Sequence, residues 1–425
     1  AFHVSPRPIA WMHARTAGIE MPLLFFTVLA LYAWWRHRES VAGNGWLLAV
    51  YAALALSFLQ KGPVGPLLVT LILVVYLTAA GRWRERPFAI GWHLAGLALF
   101  LGIALPWYLA VLHLRPEAWG VWFRESAGRI EGFDHLRHPG LYFVNQLFGD
   151  GQPWVLVALL SLVLFRDSGP IRRERLLFPW VWVAVTLLFF SLPGSKKNYY
   201  LLPIYPALAL LAGMVFAAAE TWKEISLARA LQVLLVIAGA LLVLAGPAAF
   251  LLVPRLAAAG RISDLYAQWP SLPLGAAALL VAGLLLLTNV RQAAIARGAI
   301  ALAALAATLF AAYMLLLPGF NRQKSDKETA RLLKPLLQAQ DTVATFYLFG
   351  PEVLMYYLDH PVTMLGDVPA LRQALDAPRP GAYYLLVEER DLRKLPPDLS
   401  ARLSLAPLPP SPSRCFWLVA PPPGH

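Results

Sequence analysis

Long apolar runs, repeated along most of the chain, constrain this sequence more than any other feature. A helix needs roughly 17–25 mostly apolar residues to cross the hydrocarbon core of a bilayer. Of the 425 residues, 59% are hydrophobic and 14% are charged. About ten runs qualify when interfacial flanks are counted, at 17–36, 45–60, 64–80, 91–112, 152–166, 177–193, 199–219, 229–253, 272–290 and 298–317. The sequence therefore predicts a polytopic α-helical membrane protein and not a large soluble domain.

The distribution of lysine and arginine between the runs predicts the orientation of the spans. One alternate set of short connections is rich in cations, and membrane proteins keep such connections in the cytoplasm. These cations are Arg36, Arg38, Arg82, Arg84, Arg86, Arg166, Arg172, Arg173, Arg175, Lys223, Arg229, Arg291 and Arg297. Ten spans then place residues 1–16 and everything after 318 outside. The net charge is +12, but most of the basic residues lie in the short connections between apolar runs and do not form a continuous basic stripe. Nucleic acid is therefore not an expected partner.

Two domains are predicted, a membrane domain over 1–320 and a small soluble α/β domain over 321–425. The second domain shows short alternations of helical and strand patterns. Helices are predicted at 325–339, 353–358 and 369–375, strands at 342–348, 362–365, 382–387 and 414–419, and a proline-rich turn at 406–413. The opening residues resemble the middle of a membrane domain, so we expect that the first spans lie upstream of Ala1.

The connection before the run at 199–219 is the most informative polar segment. It carries Lys196, Lys197, Tyr199 and Tyr200 between two strongly apolar runs. Lysine is under-used on the outer face of a membrane. Two neighbouring outer lysines therefore indicate an anionic group held there, such as a lipid-linked phosphate, although an interfacial belt of lysine and tyrosine stays open.

Two further polar groups lie at predicted outer ends of spans. Glu20 begins an apolar run, where a carboxylate either complements the helix dipole or serves an active site at the membrane boundary, paired with Arg15. Lys61 precedes Gly62 and Pro63 in a tight turn and can meet a phosphate as a point charge. A plain hairpin with a lysine reaching towards the headgroups is the alternative.

A long outer loop over 113–151 contains a third group. Loops of this length are uncommon in compact proteins unless they have a function. Its candidate residues for the acceptor or for the loop's own structure are Glu125, Asp134, His135 and His138, and Arg129 is the candidate for an anionic ligand. The histidines fit no strong metal motif. No cofactor is required by the sequence, and a divalent metal stays open.

Taken in order, these motifs resemble a known family. They are Ala14-Arg15-Thr-Ala-Gly-Ile-Glu20-Met-Pro22, Lys61-Gly62-Pro63, Glu125-x-x-x-Arg129, His135-x-x-x-Pro139 and Lys196-Lys-Asn-Tyr-Tyr200-Leu-Leu-Pro203. The series resembles the GT-C glycosyltransferases of the bacterial dolichyl-phosphate-mannose-protein mannosyltransferase-like group, whose relatives transfer aminoarabinose to lipid A. The likeness covers about residues 10–220.

The resemblance implies an enzyme of the bacterial cytoplasmic (inner) membrane. Its donor would be a sugar on a polyprenyl phosphate, and its acceptor a hydroxyl of lipid A, another glycolipid or a protein at the outer face. Transfer would invert the configuration of the anomeric carbon, and the enzyme would be a hexosyl- or a pentosyltransferase. Glu20 matches an acidic position of the family. Lys196 and Tyr200 match the lysine and tyrosine of its phosphate-binding loop, while a further catalytic base is expected upstream.

Two other functions stay open at this point. A transporter or flippase for lipid-linked sugars should carry ionisable residues at mid-span, whereas the charges here lie at the ends of the runs. A non-catalytic envelope scaffold would use 321–425 as its binding module, and deletion of that module would abolish its function outright.

Overall fold

The structure, a computed structural model, describes residues 20–39, 43–83, 90–131, 141–151, 154–165, 170–194, 196–221, 225–259, 271–291, 326–346, 352–378, 380–388, 395–405 and 415–420. They group into two compact units. The first lies within 1–243 and 281–304, and the second within 244–280 and 305–425.

Apolar helices follow one another from Glu20 to Arg291. Such runs form helices because a helix satisfies its own backbone groups where no water is present. The helices are α1 (Glu20–Glu39), α2 (Gly45–Lys61), α3 (Val64–Ala80), α4 (Ile90–Leu114), α5 (Ala118–Glu131), α6 (Tyr142–Asp150), α7 (Trp154–Leu164), α8 (Pro170–Ser191), a 3₁₀-helix (Asn198–Ile204), α9 (Tyr205–Thr221), α10 (Ile225–Ala258) and α11 (Ser271–Arg291).

The described residues contain four helical stretches that are long and apolar enough to cross a membrane, or five if the bent pair α6–α7 counts as one span. The four are Ile90–Leu114, Arg173–Ser191, Asn198–Ala218 and Arg229–Ala258. Three shorter apolar helices, Gly45–Lys61, Val64–Ala80 and Leu272–Thr288, add to them. The predicted run at 298–317 lies outside the described residues. The protein is thus predominantly helical with several apolar helices, while the count of ten spans stays a prediction.

Small residues let the first helices approach closely, as in other membrane bundles. A Cβ on Gly65 of α3 would lie 1.7 Å from Ser57 Oγ of α2, and a Cβ on Gly96 of α4 would lie 2.1 Å from the ring of Tyr51. Any larger side chain would therefore force these helix pairs apart. The tight packing fixes where the ends of α1, α2 and α3 meet.

Thr186 provides a test of packing inside this bundle. Its Oγ1 is buried in α8 without a hydrogen-bond partner among the described residues, whereas Thr27 Oγ1, equally buried in α1, donates to the Leu23 carbonyl at 2.8 Å. Because an unpaired buried hydroxyl is costly, we expect Thr186→Val to leave the free energy of unfolding unchanged or raise it by about 1 kcal/mol.

The matched variant Thr27→Val makes the same substitution at another buried helical threonine, and there it removes the hydrogen bond to the Leu23 carbonyl. We expect it to lower the free energy of unfolding by about 1 kcal/mol. Thermal unfolding of the purified protein in one detergent measures both changes. Equal shifts of the melting temperature in the two variants would contradict the assignment of the hydrogen bonds.

A five-stranded sheet forms the centre of the second unit, in the order β2-β1-β3-β5-β4. Its elements are α12 (Asp326–Leu333), a 3₁₀-helix (Lys334–Leu336), β1 (Thr342–Phe346), α13 (Glu352–Leu358), β2 (Val362–Leu365), α14 (Val368–Asp376), β3 (Tyr383–Glu388), α15 (Pro397–Ser400), β4 (Ser404–Leu405) and β5 (Cys415–Ala420). β1 pairs in parallel with β2 and β3, while β5 runs antiparallel to β3 and β4.

The α/β pattern predicted for this region is confirmed, although the helix predicted at 325–339 is the α-helix α12 followed by a 3₁₀-helix that ends at Leu336. The strand predicted at 362–365 is Val362–Leu365, and the helix predicted at 369–375 is Val368–Asp376. α15 and β4 were not predicted, because four and two residues are too short to show a period. The proline-rich segment at 406–413 lies outside the described residues.

Candidate active site

The ends of three helical segments meet where the sequence predicts the outer face. α1 begins at Glu20, and α2 ends at Lys61. The third segment is the 3₁₀-helix Asn198–Ile204, which follows the end of α8 and leads directly into α9. Glu20, Lys61 and the tyrosines of this segment are therefore held by helix ends and not by long loops.

Local sequence explains the turn that presents Lys61. α2 ends before Gly62, whose backbone has a φ of 60° and a ψ of −143°. Residues other than glycine rarely adopt this conformation. The Gly62 N–H donates to the Phe58 carbonyl at 2.8 Å and closes the helix. Pro63 then precedes the first residue of α3 with a φ of −70°, as its ring requires.

The segment that carries the tyrosines is also set by its own residues. Lys197 has an extended backbone, and the Asn198 Oδ1 accepts a hydrogen bond from the Tyr199 N–H at 2.9 Å. The Tyr200 N–H donates to the Lys197 carbonyl at 3.0 Å. This local bonding starts the 3₁₀-helix and turns Tyr199 and Tyr200 towards Lys61.

Lys61 is the centre of the site. Its Nζ lies 3.6 Å from Glu20 Oε1, and the side chains of Lys61 and Glu20 are 16% and 15% exposed. The same Nζ lies 4.7 Å from the ring centroid of Tyr200 and 5.6 Å from that of Tyr199. A cation over an aromatic face is attracted by the ring quadrupole. One ammonium group therefore joins a carboxylate to two phenol rings from a distant part of the chain.

Tyr200 is fixed from behind by other aromatic side chains. Its ring stacks on Phe190 of α8 at a centroid distance of 5.2 Å and lies 6.5 Å from Phe143 of α6. Tyr200 is buried, so the rings hold it in one orientation. Phe190 was not singled out from the sequence, because an aromatic residue in an apolar run does not reveal which face of the helix it occupies.

The two neighbouring lysines have different surroundings. Lys197 Nζ lies 5.6 Å from the Tyr199 ring centroid, the same distance as Lys61 Nζ. Lys196 is buried and its Nζ donates to the Pro193 carbonyl at 3.1 Å. The structure thus brings Lys61 and Lys197 to one ring, while Lys196 also stabilises the fold of its own turn.

The other predicted residues lie where the structure describes no side chain. The backbone of Glu125 and Arg129 belongs to α5, and Arg15, Asp134, His135 and His138 lie outside the described residues. The predicted pairing of Glu20 with Arg15 therefore stays a prediction, and the pairing of Glu20 with Lys61 was missed. Among the described residues, no three His, Cys, Asp or Glu side chains are grouped closely enough to hold a metal ion.

Comparisons with known proteins agree with this architecture. The dolichyl-phosphate-mannose-protein mannosyltransferase family matches residues 7–121. The undecaprenyl phosphate-alpha-4-amino-4-deoxy-L-arabinose arabinosyl transferase 2 of Pseudomonas fluorescens is 34% identical over 216 residues, which are 48% of this chain and 37% of that protein. A transferase of the same description from Pseudomonas aeruginosa is 30% identical over 204 residues, or 46% of this chain and 36% of that protein. The matched segment thus spans little more than a third of these relatives.

Solved structures extend the likeness along the chain. The crystal structure of ArnT from Cupriavidus metallidurans in the apo state superposes with a TM-score of 0.71, at 21% identity, over 97% of this chain and 76% of that one. The same protein bound to undecaprenyl phosphate gives a TM-score of 0.69 over the same shares at 20% identity. The chain is therefore similar in sequence, over about half of its length, to undecaprenyl phosphate-aminoarabinose transferases, as its ordered motifs predicted, and it has the fold of ArnT.

Proposed function

We propose that this protein transfers a sugar from a polyprenyl-phosphate donor to an acceptor hydroxyl at the outer face of the bacterial cytoplasmic membrane. The observation that carries the proposal is Lys61, 3.6 Å from the Glu20 carboxylate and 4.7 Å from the Tyr200 ring. A cation, a carboxylate and a phenol meet at the ends of apolar helices. The sequence relatives named after undecaprenyl phosphate-linked aminoarabinose support this donor class.

The chemistry follows from the change of charge at the phosphate. The donor is a phosphodiester with one negative charge. When the bond between the anomeric carbon and the phosphate oxygen breaks, the electron pair stays with the phosphate, which becomes a monoester with up to two negative charges. A cation beside it stabilises the transition state more than the bound donor, which is the condition for catalysis. Lys61 and Lys197 can supply that charge, and Tyr200 can donate a hydrogen bond.

The acceptor side of the reaction needs a base or an orienting group. The acceptor oxygen forms the new bond to the anomeric carbon and loses its proton. We propose that Glu20 orients this hydroxyl or takes its proton, from the face opposite to the departing phosphate, so that transfer inverts the anomeric centre. Arg15 and Arg129 are proposed to complete the phosphate site, and Glu125, Asp134, His135 and His138 remain candidates for acceptor contacts.

The finer assignments rest on the relatives and on the charge map. A pentose, aminoarabinose, is the donor sugar that the names of the relatives support. The proposed acceptor is a hydroxyl of lipid A, another glycolipid or a protein. We propose that 1–320 forms the membrane domain and that 321–425 lies outside the cytoplasm as a soluble module. A divalent metal is not required by the proposed steps.

Transfer in proteoliposomes tests the site directly. The protein is reconstituted with a radiolabelled polyprenyl-phosphate sugar and an acceptor lipid, and Tyr200→Phe is combined with Lys197→Ala. Loss of a hydrogen bond to a charged group costs about 1.5–3 kcal/mol, so we expect the combined variant to transfer roughly 10- to 100-fold more slowly.

Tyr356→Phe is the matched control, because Tyr356 is 80% exposed in the second unit. It should transfer sugar at the rate of the unchanged protein. Unaltered transfer by the combined variant would reject the site assignment. Movement of labelled donor across the bilayer without transfer would favour a transporter instead.

A further inference from the structure

A second charged cluster lies at the opposite ends of the helices that build the candidate site. The Glu174 carboxylate of α8 accepts hydrogen bonds from Arg38 Nη2 of α1, from the Tyr76 hydroxyl of α3 at 2.9 Å and from Arg82 Nη2 after α3 at 2.8 Å. Arg38 Nη1 also donates to the Tyr76 hydroxyl at 2.6 Å. One carboxylate therefore ties three helices together. None of these four residues takes part in the proposed transfer.

A cavity of about 400 Å³ opens beside this cluster. Arg82, Arg173 and Glu174 line it together with the apolar side chains of Phe165 and Leu177. The Arg173 Nε donates to the Phe165 carbonyl at 3.1 Å, which holds the guanidinium at the cavity wall. The cavity thus combines guanidinium groups with an apolar wall.

Among the described residues that line the cavity, the charges do not balance. Arg82 and Arg173 each carry a positive charge, whereas Glu174 carries one negative charge, which it shares with Arg38 and Arg82. The excess is positive, so the cavity favours an anion. Guanidinium groups match the geometry of phosphate oxygens and bind them with paired hydrogen bonds. The apolar wall suits the first carbons of an acyl chain or a glycerol backbone.

The position of the cavity identifies where such an anion would come from. At 1.5 Å per residue, α1 separates Glu20 from Arg38 by about 27 Å, close to the thickness of a bilayer core. The cluster therefore lies one membrane thickness from the candidate active site, on the face that the arginine-rich connections predict to be cytoplasmic. Basic pockets between helices at that depth are typical binding places for anionic headgroups of the inner leaflet.

We propose that the cavity lined by Arg82, Arg173 and Leu177 binds the phosphate of an anionic phospholipid headgroup from the inner leaflet. The bound phosphate adds to the connection that Glu174 makes between α1, α3 and α8. The lipid therefore stabilises the folded protein without entering the transfer reaction.

The experiment measures thermal unfolding of the full chain in neutral maltoside micelles by tryptophan fluorescence. Three probes are titrated, namely dioctanoyl phosphatidylglycerol, dioctanoyl phosphatidylcholine and inorganic phosphate. We expect phosphatidylglycerol to raise the melting temperature with saturation, and phosphatidylcholine, which carries no net charge, to have little effect. Inorganic phosphate should require at least tenfold higher concentration, because it makes no apolar contacts.

Arg173→Gln is the variant of choice, because it leaves the bonds of Glu174 to Arg38, Tyr76 and Arg82 in place. We expect it to raise the half-saturating concentration of phosphatidylglycerol about tenfold or more. Arg173→Lys keeps the positive charge, so its half-saturating concentration of phosphatidylglycerol should rise less than that of Arg173→Gln. Arg115→Gln removes the same charge from a side chain that is 78% exposed, and should bind like the unchanged protein.

Three results would each overturn the proposal. Equal responses to phosphatidylglycerol and phosphatidylcholine would show that charge is not recognised. Equal potency of inorganic phosphate would assign the cavity to a free anion. Identical titrations of Arg173→Gln and Arg115→Gln would place the lipid elsewhere. Native mass spectrometry of the bound lipid gives the same comparison without relying on unfolding.

Discussion

Replacing Lys61 with methionine is expected to slow sugar transfer by about 100- to 1000-fold, which is the usual effect of removing one group that stabilises developing negative charge. Methionine keeps an unbranched chain of similar length and removes the ammonium group. Because the phosphate gains charge as the sugar leaves, the loss should appear mainly in kcat and less in KM. Steady-state transfer in proteoliposomes, with the donor concentration varied, measures both constants.

Lys61→Arg and Glu20→Gln separate the role of the charge from that of the ion pair. Arginine keeps a cation above the rings of Tyr199 and Tyr200, so this variant should retain more activity than methionine. If Lys61 serves only to hold Glu20 in place, Glu20→Gln would slow transfer as much as Lys61→Met, and the double variant would lose nothing further. A KM effect with unchanged kcat would contradict stabilisation of the departing phosphate.

The Glu174→Gln variant is expected to lose about 2 kcal/mol of folding stability. Breaking a fully buried ion pair costs about 3–5 kcal/mol, but here the side chains of Glu174, Arg38 and Arg82 are 16%, 18% and 39% exposed. Glutamine has nearly the same shape as glutamate and can still accept the hydrogen bond from the Tyr76 hydroxyl. The lost folding stability therefore measures the contribution of the negative charge. The Arg38 guanidinium would remain packed over the rings of Trp34 and Tyr76 but would lose its ion pair with Glu174.

Glu117→Gln provides the comparison for this second variant. Glu117 lies 3.7 Å from Arg115, and the two side chains are 66% and 78% exposed. Exposed pairs contribute about 0–1 kcal/mol, so its melting temperature should hardly change. Similar losses in both variants would mean that the cluster around Glu174 behaves as an ordinary surface pair.

The helices were largely predictable, because membrane spans depend on local composition. The run predicted at 45–60 is α2, Gly45–Lys61, and the run predicted at 229–253 is the longer α10, Ile225–Ala258. The difference in α10 arises because polar and charged residues at its ends still form helical hydrogen bonds. Hydropathy marks the apolar part of a helix and not its last turns.

Contacts between distant helices were less predictable. Glu20 and Lys61 were both placed at the outer face, but their pairing depends on how α1 packs against α2, which no local pattern contains. Glu174 was missed altogether. In the sequence, a single glutamate among arginines near a predicted cytoplasmic connection is typical of a solvated charge, and only the packing of α1 and α3 beside α8 gives it partners.

Arg38 and Glu174 are 136 positions apart in the sequence, and this separation also sets an order of events during synthesis. At 5–20 residues per second, the ribosome needs on the order of ten seconds to make the partner after the arginine has emerged. Throughout that delay α1 and α3 are held by their packing against α2 and against each other, without the hydrogen bonds that Glu174 later accepts. Nascent chains stopped before α8 should therefore be extracted or degraded more readily than chains stopped after it.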